Sequence, residues 1–149
     1  MKRIIQEHGT GCGIACVAMI AGSTYAEVMN VARQLFGWPA SQRSFYTSSG
    51  QLRQLLEVFR VPSQQGRAVR NWSSLPDAAV VGINHNKNYD TWHWVVFCRA
   101  EEGEFVLDPR SKRDKRTDFG RMSLRSYIPV MPRVAGSTRR SRKTEMAEA

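Results

Sequence analysis

Residues 8–22, HGTGCGIACVAMIAG, constrain this chain more than any other stretch. Thr10 and two glycines lead into an unbroken apolar run, which predicts a helix with Cys12 at or just before its first turn. The spare N–H groups and positive dipole end of a helix favour an anion, so a thiolate there has a lowered pKa and is a better nucleophile at neutral pH. Gly11 and Gly13 flank the sulfur without side chains and are candidate substrate-binding positions, because a substrate backbone can approach glycine closely.

The rest of the chain changes period once. The first helix is expected to run from about Cys12 to Ala21 and to stop at Gly22. Ser23 or Thr24 can cap a second helix, Tyr25 to about Phe36, and Ser48 or Ser49 a third that carries Leu52, Leu55, Leu56 and Phe59, with a Ser/Thr-rich loop at 40–48 between them. After Val61-Pro62 the pattern becomes strand-like: Arg67 to Val69, Ala78 to Asn84, His93 to Arg99 and Glu104 to Leu107, the last two joined as a hairpin by Glu101-Glu102-Gly103. A highly charged loop follows, then a short element within 119–128 that returns to the sheet. Helices first and an antiparallel sheet afterwards make an α+β domain over residues 1–132, with residues 133–149 expected to be a disordered tail.

Charge and cysteine usage narrow the setting. Of a formal net charge of +9, residues 1–108 carry +1 and residues 109–149 carry +8. That basic segment suits an anionic partner such as nucleic acid, lipid or an acidic protein surface, although a solvated face is the plainer reading because no aromatic residues interleave with the charges after Tyr127. Three cysteines, at 12, 16 and 98, argue against a disulfide framework and for a reducing, cytoplasmic compartment. No apolar run is long enough to span a membrane.

Partners for Cys12 come from far along the chain. His93 opens the apolar strand Trp94-Val95-Val96-Phe97 and is the natural general base. Asp108 ends the facing strand, where a hairpin brings it back alongside His93 to fix the tautomer and stabilise the imidazolium. Gln6 can donate a side-chain hydrogen bond, beside the Cys12 backbone N–H, to the oxyanion of a tetrahedral intermediate. Trp92 and Trp94 straddle His93, and alternation puts both on the opposite face; Trp92 can also shield the ion pair and contact substrate. His85, in Asn84-His85-Asn86, is the rival histidine, without a carboxylate at hairpin distance. Cys16 and Cys98 read as core residues. His8, Cys12 and Cys16 share a fourfold spacing but lack a fourth ligand, so neither a metal nor another cofactor is expected.

Taken together, a Gln six residues before a Cys-Gly pair at a helix start, the pentapeptide Cys-Gly-Ile-Ala-Cys, His-Trp-Val-Val and a strand ending Leu-Asp-Pro resemble the papain-like bacteriocin-processing peptidases. These are the double-glycine leader peptidases of peptide-exporting transporters and their stand-alone relatives. The similarity spans roughly residues 1–130. It implies a papain-like fold and a cysteine peptidase acting on a peptide or protein substrate, with Cys12 as nucleophile, His93 as base, Asp108 as its orienter and Gln6 as oxyanion donor. Glycine at the cleavage site is what the family suggests. The residue before the nucleophile, commonly Asp in that family, is Gly11 here. Two other readings fit the same residues: a deamidase, transglutaminase or isopeptidase acting as a secreted or injected effector, and a catalytically silent peptidase fold that binds a leader or presents the basic segment.

Overall fold

Glycine and hydroxyl caps divide the N-terminal half into three helices, α1 (Cys12–Ala21), α2 (Tyr25–Phe36) and α3 (Ser49–Val58). The computed structural model describes residues 1–132, and the expected tail lies outside the described residues. Gly22 and Gly37 end α1 and α2 in the left-handed conformation, at φ 67° in each case, which a side chain would strain. The Thr24 side chain accepts the Glu27 N–H to start α2, and Ser48 and Gln51 form a reciprocal capping box on α3. No side chain caps α1, whose N-cap is Gly11. The open N–H groups of its first turn therefore stay available to other partners.

α1 is buried along its whole length and packs against α2, α3 and the sheet. The sheet has five antiparallel strands in the order β1-β5-β2-β3-β4, with β1 at Arg67–Ala68, β2 at Ala78–Asn86, β3 at Thr91–Ala100, β4 at Gly103–Leu107 and β5 at Leu124–Pro129. β3 and β4 form the expected hairpin, turning at Gly103 with φ 123°. β2 and β3 extend further than the sequence pattern indicates and make a second hairpin, in which Asp90 takes φ 50°. The returning element is β5, which inserts between β1 and β2. Among the described residues no single helix is long and apolar enough to cross a membrane.

Both faces of the sheet are apolar. Val80, Trp94, Val96, Phe105, Leu107 and Ile128 pack under the helices, while Ala79, Val81, Ile83, Val95, Phe97 and Val106 face Trp72, Phe119 and Met122 on the other side. The alternation fixes what each residue of β3 meets: Trp92 and Trp94 lie on the helical face and His93 on the opposite one. β4 stops where Leu107 pairs with Val96, because Pro109 has no N–H to continue the ladder, whereas β3 runs on to Thr91. The β4-facing edge of β3 is thus open from Val95 to Thr91, beside the start of α1.

Candidate active site

Cys12 occupies that open edge. The Trp94 N–H, which points to the β4 side of β3, has lost its strand partner and donates to Cys12 Sγ at 3.4 Å across 82 residues of sequence. The opposite parity is fixed by the Arg99 N–H, which donates toward β2 at Asp77 O. The sulfur is almost sealed, with Cys12 only 3% exposed.

His93 and Asp108 project together from the far face of the sheet. His93 Nε2 and Asp108 Oδ1 are 2.7 Å apart, and their side chains are 11% and 12% exposed. The carboxylate is fixed a second time by the Arg110 backbone N–H at 2.9 Å. His93 Nδ1 is buried with no aligned partner. The ring is nevertheless close enough to the Cys12 thiol for each to shift the other's titration by hydrogen bonding and charge. Loosely aligned hydrogen bonds of this kind are common in resting active sites.

The electrostatics follow from these neighbours. Burial alone would raise the Cys12 pKa, but the hydrogen bond and charge of His93, the Trp94 N–H and the Arg110 guanidinium outweigh it and lower the net value. Burial would lower His93, yet its hydrogen bonds to Asp108 and Cys12 lift it to about 9. Asp108, raised by burial, is brought below the ordinary carboxyl value by His93 and the Arg110 N–H. Both shifts run in the direction of a thiolate facing an imidazolium. Cys16, one turn further along α1, is driven well above the ordinary thiol value by burial, and burial raises Cys98 as well. All three cysteines are free.

Gln6 lies at the site in an engaged state. Its Nε2 donates to His8 O at 2.8 Å and Gly9 O at 3.0 Å, which uses both amide hydrogens, while its Oε1 is buried without a partner. The loop it braces is tied to the charged segment after β4: the Gln6 N–H donates to Pro109 O at 3.1 Å, and the Arg110 guanidinium to Gly9 O at 2.7 Å. Arg110 is a site residue that the sequence reading missed, since it sits in a run of charges with nothing to distinguish it.

The flanking glycines make room in a way their sequence context did not reveal. The Tyr25 hydroxyl fills the space a Cβ at Gly11 would need, and Thr47 Oγ1 fills the corresponding space at Gly13. Trp92 stacks edge-on to Trp94 with ring centroids 5.6 Å apart, carries the Arg125 guanidinium 4.7 Å above its ring, and keeps its indole N–H buried and unpaired. His85 does have a carboxylate, contrary to expectation: its Nε2 is 2.8 Å from Asp90 Oδ1, because the tight β2–β3 turn brings Asp90 back. A cleft of about 710 Å³ opens beside His93 and Asp108, walled by Ile83, Asn84, Arg116 and Met122 among others; Cys12 is not in its lining. Among the described residues no cluster of three His, Cys, Asp or Glu side chains is placed to hold a metal ion.

Compared with protein-family models and with curated proteins, the chain matches none.

Proposed function

We propose that this chain is a papain-like cysteine peptidase. The observation that carries the reading is the arrangement at the open edge of β3, where a thiol at a helix start receives the Trp94 N–H and the neighbouring residue of the same strand is an imidazole that Asp108 holds at 2.7 Å. The division of labour supports it too: a helical half brings the nucleophile, and an antiparallel sheet brings the base and its orienter. The resemblance of the motifs around Gln6, Cys12, His93 and Asp108 to bacteriocin-processing peptidases points to the same chemistry.

In this mechanism the Cys12 thiolate attacks a peptide carbonyl carbon and the carbonyl electrons move to oxygen. The Cys12 backbone N–H, unpaired within α1, donates to that oxyanion. Gln6 Nε2 joins it by exchanging the His8 or Gly9 carbonyl for the oxyanion. His93 then gives its proton to the departing amine as the C–N bond breaks, leaving a thioester on Cys12. Water, deprotonated by His93, attacks the thioester and releases the acid. Asp108 keeps the imidazole oriented throughout.

Incubation of the full chain with a diverse peptide mixture, read by mass spectrometry, tests the reading. New peptide termini formed by the wild type and absent with Cys12→Ala are expected. Side-chain deamidation without backbone cleavage would replace peptidase with amidohydrolase, and no product at all would remove the enzyme.

A further inference from the structure

Among the described residues, six buried side-chain N and O atoms lack a partner; two belong to Arg3 and the others are Gln6 Oε1, Thr47 Oγ1, Trp92 Nε1 and His93 Nδ1. A buried polar atom without a partner is costly and calls for an explanation, of which an absent ligand is one. His93 Nδ1 is explained by the thiol, and Gln6 Oε1 by an amide whose nitrogen is held elsewhere. Thr47 has no such account.

Thr47 is 7% exposed and, with Asp108, one of two buried polar or charged residues among those described. Its carbonyl accepts the Trp94 indole N–H at 3.0 Å, and its hydroxyl lies against Gly13, the residue that follows the nucleophile. Its backbone is therefore fixed by the same tryptophan whose N–H contacts Cys12 Sγ. The position is rigid as well as close, because Ser48, the next residue, is the N-cap of α3. Threonine is not needed there for packing: a valine has the same shape and would remove the unpaired hydroxyl.

We infer that the Thr47 hydroxyl is a main-chain anchor for a peptide substrate, hydrogen-bonding a backbone amide group next to the bond that Cys12 attacks. The inference rests on the peptidase reading and adds a subsite to it. Cys12 and Thr47 are both covered at rest, at 3% and 7% exposure, so an opening that engages the anchor has to uncover both. A backbone anchor at this place is indifferent to substrate side chains.

The test compares two alkylating probes of Cys12 on the full chain: a peptidyl chloromethyl ketone, which carries main-chain amides, and iodoacetamide, which carries none beyond its own small head. In the wild type the peptidyl probe reacts faster, with labelling confined to Cys12. Thr47→Val is expected to slow the peptidyl probe about tenfold, the scale of one neutral hydrogen bond, and to leave the iodoacetamide rate and the thermal midpoint no lower. Thr47→Ser is expected to stay within about threefold of the wild type on both probes. An unchanged peptidyl rate in Thr47→Val overturns the anchor while the peptidase reading stands. A Thr47→Val that slows both probes alike, or that melts earlier, assigns Thr47 a structural role and overturns it too. A wild type with no preference for the peptidyl probe overturns the peptidase reading itself.

Discussion

Asp108 decides how His93 behaves. Its carboxylate offsets the effect of burial on the imidazole and, together with Cys12, lifts it to about 9. Replacing it with asparagine leaves the ring in place but removes the charge that favours its protonated form. Asp108→Asn is therefore expected to move the alkaline limb of kcat/KM from near 9 to lower pH and to reduce the plateau by about 10²- to 10⁴-fold, read from a pH–rate profile. The same residue carries a stability signature. A carboxyl whose folded pKa is lowered contributes stability above its ordinary value of about 3.9, and that contribution is lost as pH falls through the folded value. The stability gap between wild type and Asp108→Asn, measured by urea unfolding, should accordingly be widest near neutral pH and close in acid. An equal gap at all pH values would mean that packing, not the ion pair, is what Asp108 supplies. The placement of Asp108 beside His93 was legible from spacing, since Leu107-Asp108-Pro109 ends a strand in hairpin register with His93. Arg110 and Thr47 were not. The signal for Thr47 was slight: in a loop read only as Ser/Thr-rich, Phe45 and Thr47 turn inward while Tyr46 and Ser48 turn out, a period of two over four residues.

At the scale of elements, α1 is the piece whose surroundings leave least slack. It is buried from Cys12 to Ala21, and its second residue is glycine for want of room. A Cβ at position 13 would collide with Thr47 Oγ1 and come within 2.9 Å of Leu52 and 3.2 Å of Trp94. Alanine normally gains about 1 kcal/mol over glycine inside a helix, whereas overpacking a fixed core costs about 1–3 kcal/mol. Gly13→Ala is expected to lower stability on balance, by roughly 1 kcal/mol in urea unfolding, and a stabilised variant would mean that Thr47 and Leu52 can yield. The helix bounds were readable because glycine and hydroxyl residues mark them chemically: Gly22, Thr24 and Ser48 each take a cap position offered by the sequence. The sheet order was not readable in the same way. Nothing local in Leu124–Pro129 says that it pairs with both β1 and β2, because such pairing is decided by which apolar faces remain uncovered once β2, β3 and β4 have formed. His85 was misjudged for a related reason, since its carboxylate arrives through a turn whose tightness depends on Asp90 adopting φ 50°.

At the scale of the whole molecule, the site exists only because three distant segments converge on the place where β4 stops and β3 continues. The N-terminal loop is tied there by Gln6 to Pro109 and by Arg110 to Gly9, and the sheet presents Trp94 and His93 from one strand to two sides of the sulfur's surroundings. Charge follows the same geometry, with the Arg110 guanidinium lowering the pKa of the thiol and Arg116 that of Asp108. The central claim is that this convergence makes Cys12 a thiolate partnered by a protonated His93, and that buried Cys16 and half-buried Cys98 remain neutral thiols. The most direct measurement is the rate at which iodoacetamide alkylates each cysteine as pH is varied, resolved by peptide mass spectrometry, in the wild type and in His93→Ala. The account predicts that Cys12 reacts with an apparent pKa below the ordinary thiol value of about 8.5, that this depression disappears in His93→Ala, and that Cys16 and Cys98 stay unreactive through the neutral range. Were Cys12 to titrate like a free thiol in both proteins, the thiolate–imidazolium pair would not exist and the peptidase reading would fail with it.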